Sequence, residues 1–208
     1  HPRLPCLHEE AGRDRLVEGR HELVLAAGHD IGQHVVLHLR AEDACGREDE
    51  AGINLDASPY YLFHPAVPAR MHALLPAARL VVLLRDPVRR AYSHYWHERA
   101  KGRETLEFED AIAAEPARIS AAEAGLADGS IARSADHQRF SYLARSRYAQ
   151  QLERWLALYP RERLHVVRFE DLVKDPLGGL NGTLAFLGLP AASHVDLEAR
   201  NTRRYPPL

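Results

Sequence analysis

The sequence predicts an α/β domain, a parallel sheet flanked by helices, and three observations carry that expectation. RLVVLLR (79–85) is an apolar run without alternation, the pattern of a strand covered on both faces in a parallel sheet. The run breaks at Asp86-Pro87, where Asp86 suits the N-cap of a following helix and Pro87 its first position, at which a missing N–H costs nothing. A second such unit follows in YAQQLERWLALYP, RLHVVRF and PLGGLNGTLAFLGLP. Helix, strand, helix, strand, helix in that order implies parallel strands with covering helices.

In chain order the first fifty residues are the least periodic: His, Arg, Glu and Gly are scattered, and only ELVLA (22–26) and HVVLHL (34–39) resemble short strands. From Asp56 the character changes. ASPYYLFHP has turn chemistry followed by aromatics, and PARMHALLP sets apolar residues at helical spacing between prolines. After the helix that begins at Pro87, residues 103–141 read as helical and loop material without repeats or low complexity. YAQQLERWLALYP is an amphipathic helix ending at Pro160, and RLHVVRF is a strand. RFEDL (168–172) closes that strand and opens a helix whose Glu170 and Asp171 favour the positive end of its dipole, a structural role. PLGGLNGTLAFLGLP is a helix weakened by glycines at 178, 179 and 182. Tyr92, Tyr95 and Trp96 are expected to pack their helix against the sheet. At 208 residues the chain supports one well-buried domain, here 53–208, preceded by an atypical segment, 1–52.

Composition narrows the function classes. With 27 basic against 29 acidic residues there is no polyelectrolyte signal, which argues against nucleic acid as a partner. Cys6 and Cys45 lack the CxxC spacing of zinc or redox sites, so no metal and a reducing, cytoplasmic setting are the expectations. No apolar run approaches the ~18 residues of a membrane span, and HPRLPCLHEE lacks the layout of a secretory signal. The basic residues are nearly all arginine, with lysine only at Lys101 and Lys174.

In an open parallel sheet ligands collect at the carboxyl ends of strands, where helix N-termini offer unpaired N–H groups to an anion. Arg85 sits at that edge and Ser93 one or two turns into the next helix. A guanidinium fork and a hydroxyl there can converge on one phosphate. The alternative is that Arg85 pairs with Asp171 or another carboxylate and Ser93 has no such role.

LLRDPVRRAYSHYWHERAKG resembles the 3′-phosphate-binding motif of sulfotransferases that use 3′-phosphoadenosine 5′-phosphosulfate (PAPS), especially bacterial members similar to the sulfotransferase domain of heparan sulfate N-deacetylase/N-sulfotransferase. LDASPYYLFHP resembles the segment upstream of that motif, YLARSRYAQQLERWLALYPRERLHVVRFEDLVKDP the one downstream, and RNTRRYPPL the loop that closes over the nucleotide. The resemblance implies a P-loop NTPase-like sulfotransferase fold, PAPS as co-substrate and a hydroxyl or amine acceptor on a carbohydrate. It implies that Arg85 and Ser93 bind the 3′-phosphate and that Arg203 and Arg204 stand where the closing loop contacts the nucleotide. By the same resemblance Asp56 stands where related enzymes place a catalytic glutamate and is the candidate general base, one methylene shorter. His97, four residues after Ser93 and so on the same helical face, matches a histidine near the acceptor.

The family also opens with a lysine-bearing loop that wraps the 5′-phosphosulfate. The nearest stretch, LAAGHDIGQH (25–34), has two glycines but no Lys, Ser or Thr. Two explanations are open: the chain is a fragment, truncated at both ends, with the loop upstream of His1; or residues 1 to about 52 derive from a GC-rich coding region read in a shifted frame. An inactive fragment or remnant that retains 3′-phosphate binding is therefore the alternative to an active transferase. A nucleotide kinase is disfavoured because no GxxxxGK[ST] sequence is present.

Overall fold

The computed structural model describes the backbone of residues 36–40 and 54–195, and side chains from 58 to 195. A four-stranded sheet has the order β2-β1-β3-β4, formed by β1 (Val36–Arg40), β2 (Asn54–Ser58), β3 (Arg79–Leu84) and β4 (Leu164–Arg168). The helices are α1 (Val67–Leu74), α2 (Pro87–Ala100), α3 (Phe108–Asp128), α4 (Ala135–Arg139), α5 (Tyr148–Leu156), α6 (Phe169–Lys174) and α7 (Pro176–Leu187).

The apolar run of β3 makes it a strand with both faces covered. Leu80 and Val82 face a core of Leu62, Met71 of α1, Trp155 of α5, Tyr159 and Leu164. Val81 points the other way, against Leu187 of α7 with Phe186 and Leu189. Successive side chains leave a strand on opposite sides, so only a layer on each face explains apolar residues at every position. Two polar tips are accommodated at carbonyls: Trp155 donates its indole N–H to Leu62 O at 3.4 Å, and the Tyr159 hydroxyl donates to Leu75 O at 3.0 Å.

The parallel pair expected from the sequence is β3–β4, with Leu80 opposite Leu164 and Leu84 opposite Arg168. HVVLHL does contribute a strand, but β1 runs antiparallel to both β2 and β3, so the sheet is mixed. Apolar content announces a strand without announcing its direction. Residues 54–58, read only as the approach to a turn, form β2; ELVLA lies outside the described residues. The aromatics of α2 also differ from expectation. Tyr92 and Tyr95 meet Phe108 edge-on at 5.2 Å each, and Tyr95 packs with Ala111 and Tyr142. They therefore fasten α2 to α3 and the 140–142 segment rather than to the sheet.

Buried polar groups join these layers. Glu104 accepts from the Thr105 and Leu106 amides at 2.9 and 3.0 Å, from Arg118 at 2.5 Å and from the Tyr142 hydroxyl at 2.8 Å. Burial pushes the Glu104 carboxyl up, yet these donors together outweigh it and hold its pKa below the ordinary carboxylate range. Glu115 of α3 accepts from the Leu143 and Ala144 amides at 2.6 and 2.7 Å, capping the 3₁₀ turn Ala144–Ser146. On the other side, Tyr60 and His137 share a 2.5 Å hydrogen bond between the phenol and Nδ1. The imidazole stacks on Phe63 at 4.5 Å, and the Arg145 guanidinium lies over both Tyr60 and Phe63. Burial, reinforced by the charge of Arg145 and by His64 and Arg154, holds the His137 pKa down to about 4.

Two stability tests follow from these ties. Glu104→Ala strands the Arg118 guanidinium and the Tyr142 hydroxyl, and denaturant unfolding is expected to show a loss of about 3 kcal/mol or more; a loss under about 1 kcal/mol is the contrary result. For His137 the folded pKa lies below the unfolded value, so the unfolded chain takes up a proton that the fold refuses, and stability falls as pH drops from about 6.5 toward 4. His137→Gln is expected to flatten that pH dependence by about one proton near pH 5, measured as unfolding free energy at pH 7 and pH 5. Identical slopes in the two proteins would contradict the assignment.

Candidate functional site

The turn between β3 and α2 is held from several sides. Asp86 caps α2 by accepting the Arg89 N–H at 2.8 Å, with Pro87 at the first helical position as its ring geometry favours. The Asp86 N–H itself donates to Glu170 Oε1 at 2.8 Å. The Tyr148 hydroxyl donates to Arg85 O at 2.9 Å, and the Ser146 hydroxyl to Pro87 O at 3.0 Å. The half-buried Arg85 side chain leaves the carboxyl end of β3 and lies over the ring of Phe169, 5.5 Å from its centroid. Among the described residues no carboxylate forms an ion pair with it. Asp171, the alternative partner, lies 3.6 Å from Arg168, and Glu170 is engaged by the turn amide.

The inner face of α2 is polar. Arg90, Ser93, His94 and His97 fall at i, i+3, i+4 and i+7, one helical stripe, and all four are buried. An ordinary amphipathic helix puts apolar side chains there, since burying polar groups costs free energy unless they are satisfied. Ser93 is 1% exposed. His97 Nε2 stands 3.7 Å from Glu98 Oε1, and Glu98, also buried, lies 3.5 Å from Arg103. Arg85, Ser93 and His97 thus belong to a single strand–turn–helix unit. Asp56 lies on β2, opposite His38, separated from β3 by β1, and its side chain lies outside the described residues. Arg203 and Arg204 also lie outside them.

Several residues of this neighbourhood escaped sequence reasoning. Glu170 stands in the first turn of α6, where its charge suits the helix dipole, but its carboxylate also reaches another element. Ser146, Tyr148 and Phe169 carry no local signal, because their partners are dozens of residues away. Arg90 had one: counting back a helical turn from Ser93 finds it on the same face. Among the described residues no group of three or more His, Cys, Asp or Glu is placed to hold a metal, and no described helix is long and apolar enough to cross a membrane.

Comparison with known proteins shows the family. The chain is 38% identical over 132 residues to a Drosophila melanogaster bifunctional heparan sulfate N-deacetylase/N-sulfotransferase, covering 64% of this chain and 12% of that protein. It is 33% identical over 147 residues to mouse heparan sulfate glucosamine 3-O-sulfotransferase 3A1, covering 71% of this chain and 34% of that one. Against these curated relatives the chain therefore spans well under half their length. The crystal structure of a sulfotransferase from Alicyclobacillus acidocaldarius superposes with a TM-score of 0.57 at 33% identity, over 69% of this chain and 53% of that one. The sulfotransferase domain family matches residues 57–203, which takes in both strand–turn–helix units, the polar face of α2 and the turn clamped around Arg85. With that match over most of its length, the chain belongs to the sulfotransferase domain family.

Proposed function

We propose that this domain transfers a sulfuryl group from PAPS to a hydroxyl or amine of a carbohydrate, in a cytoplasmic setting. The observation that carries the reading is Arg85: a guanidinium at the carboxyl end of a parallel strand, its backbone fixed by Tyr148 and its side chain laid over Phe169, with no described carboxylate to neutralise it. That is the disposition of an anion ligand rather than of a structural ion pair. The carbohydrate acceptor is supported by the two relatives, whose names specify heparan sulfate.

When bound, the donor supplies the sulfuryl group and a nucleotide bisphosphate as leaving group. Arg85 holds the 3′-phosphate by a charge-assisted fork and Ser93 adds a hydroxyl donor, which separates this nucleotide from those lacking a 3′-phosphate. Asp56 accepts the acceptor's proton as its oxygen or nitrogen becomes nucleophilic, a contribution of ~10²- to 10⁴-fold. His97 shares the Ser93 face and stabilises charge near the acceptor. Arg203 and Arg204 complete the nucleotide contacts from the C-terminal side.

A second reading, a domain that binds the bisphosphate without transferring sulfate, is favoured by one observation: LAAGHDIGQH contains no lysine, and both lysines of the chain, Lys101 and Lys174, lie far beyond it. Transfer of labelled sulfate from PAPS to desulfated heparan chains separates the two, since only the first reading gives labelled product.

Arg85→Ala is expected to weaken binding of adenosine 3′,5′-bisphosphate by about 2 kcal/mol or more, with 5′-AMP affinity nearly unchanged. Equal losses for both ligands would remove Arg85 from the 3′-phosphate. Asp56→Asn is expected to lower turnover by at least ~10²-fold with little change in donor affinity; steady-state kinetics in which donor KM rises while kcat holds would argue against its role as base.

A further inference from the structure

We propose that Arg90 is a third ligand of the phosphate assigned to Arg85 and Ser93, so that a doubly ionised phosphate monoester meets two guanidinium groups and one hydroxyl. The inference rests on that reading of the site and extends it to a residue no motif singled out.

Arg90 precedes Ser93 by three residues and shares its face of α2. Its side chain is 0% exposed. Nε donates to Ser146 Oγ at 2.6 Å and one terminal nitrogen to the Tyr142 carbonyl, and both acceptors are neutral. The other terminal nitrogen has no hydrogen-bond partner among the described residues. No described carboxylate forms an ion pair with it. Glu115, whose charge favours the protonated guanidinium, spends its two oxygens on the Leu143 and Ala144 amides.

Taking an ion of this size out of water costs several kcal/mol, which a pair of neutral acceptors offsets only in part. Burial, with the charge of Arg145 added, accordingly holds the Arg90 pKa down to about 9, still protonated at neutral pH. A strut between α2 and the 142–146 segment needs two hydrogen bonds; it does not need a third donor or a full positive charge. An anion at this helix face uses both. The location also fits, because the Ser146 hydroxyl that fixes Arg90 Nε touches the Pro87 carbonyl at 3.0 Å, in the same turn that carries Arg85. A phosphate monoester has three terminal oxygens with lone pairs enough for Arg85, Ser93 and Arg90 together. It is favoured over a singly charged ester because two cations face it.

The test is calorimetric titration of the chain with adenosine 3′,5′-bisphosphate and with 5′-AMP, for the wild type, Arg90→Met and Arg90→Lys, with thermal unfolding of each ligand-free protein. Arg90→Met should lose about 30-fold in bisphosphate affinity, the size of one charge-assisted hydrogen bond, and keep its 5′-AMP affinity. Arg90→Lys, which retains the charge, should recover part of the loss. A cooperatively unfolding Arg90→Met protein with the wild-type ratio of the two affinities overturns the inference and leaves the Arg85 reading standing. A wild type that binds both ligands equally overturns the two together. Should Arg90→Met not fold, the ¹⁵N guanidinium signal of Arg90 in the wild type, assigned with Arg90→Lys, decides: it should shift with the bisphosphate and not with 5′-AMP, and a signal that stays put with both overturns the inference.

Discussion

The Ser146 hydroxyl touches the Arg90 guanidinium and the Pro87 carbonyl at once, and the arrangement around it depends on that double contact. Through it the 3₁₀ turn Ala144–Ser146 is bound to the start of α2. Two residues on, Tyr148 binds the Arg85 carbonyl. On the other flank Arg145 lies over Tyr60 and Phe63, just beyond β2. Five consecutive residues, 144–148, thereby connect the strand that carries Asp56 to the strand end that carries Arg85. Glu115 holds the beginning of this strap by two backbone amides, giving it the rigidity of α3. The proposed site, with Asp56 and Arg85 on two strands, needs such a connection if its parts are to keep a fixed spacing.

Much of the fold was legible because its signals are local. The apolar run of β3, the Asp-Pro start of α2, the Pro-bounded α1 and the amphipathic α5 each contain their own reasons, and the elements appear there, although α5 ends at Leu156 rather than at Pro160. Strand direction was not legible. β1 pairs antiparallel with β3 because of the path the chain takes, and nothing in HVVLHL encodes that path. The aromatics of α2 were assigned to the right chemistry and the wrong neighbour, since a ring's need for burial says nothing about which surface supplies it.

For the site the division falls elsewhere. Arg85 and Ser93, the proposed phosphate ligands, are marked by spacing and resemblance, and the structure puts them on one strand–turn–helix unit. The residues that hold that unit could not. Glu170 is 84 residues from Asp86, Tyr148 is 63 from Arg85 and Ser146 is 59 from Pro87. Each is an ordinary residue until the fold brings it to its partner. Sequence reading finds groups that could meet a ligand more readily than groups that hold those groups still, because only the first kind is marked by chemical type.

Those same separations bear on how the protein is made. While the chain emerges from a ribosome, β3 and α2 are complete long before residues 146, 148, 169 and 170 exist to fasten the bend between them. A nascent chain that has reached only α3 has the arginine and the serine without their tethers. The bend is therefore fastened late, when β4 pairs with β3 and α6 closes behind it.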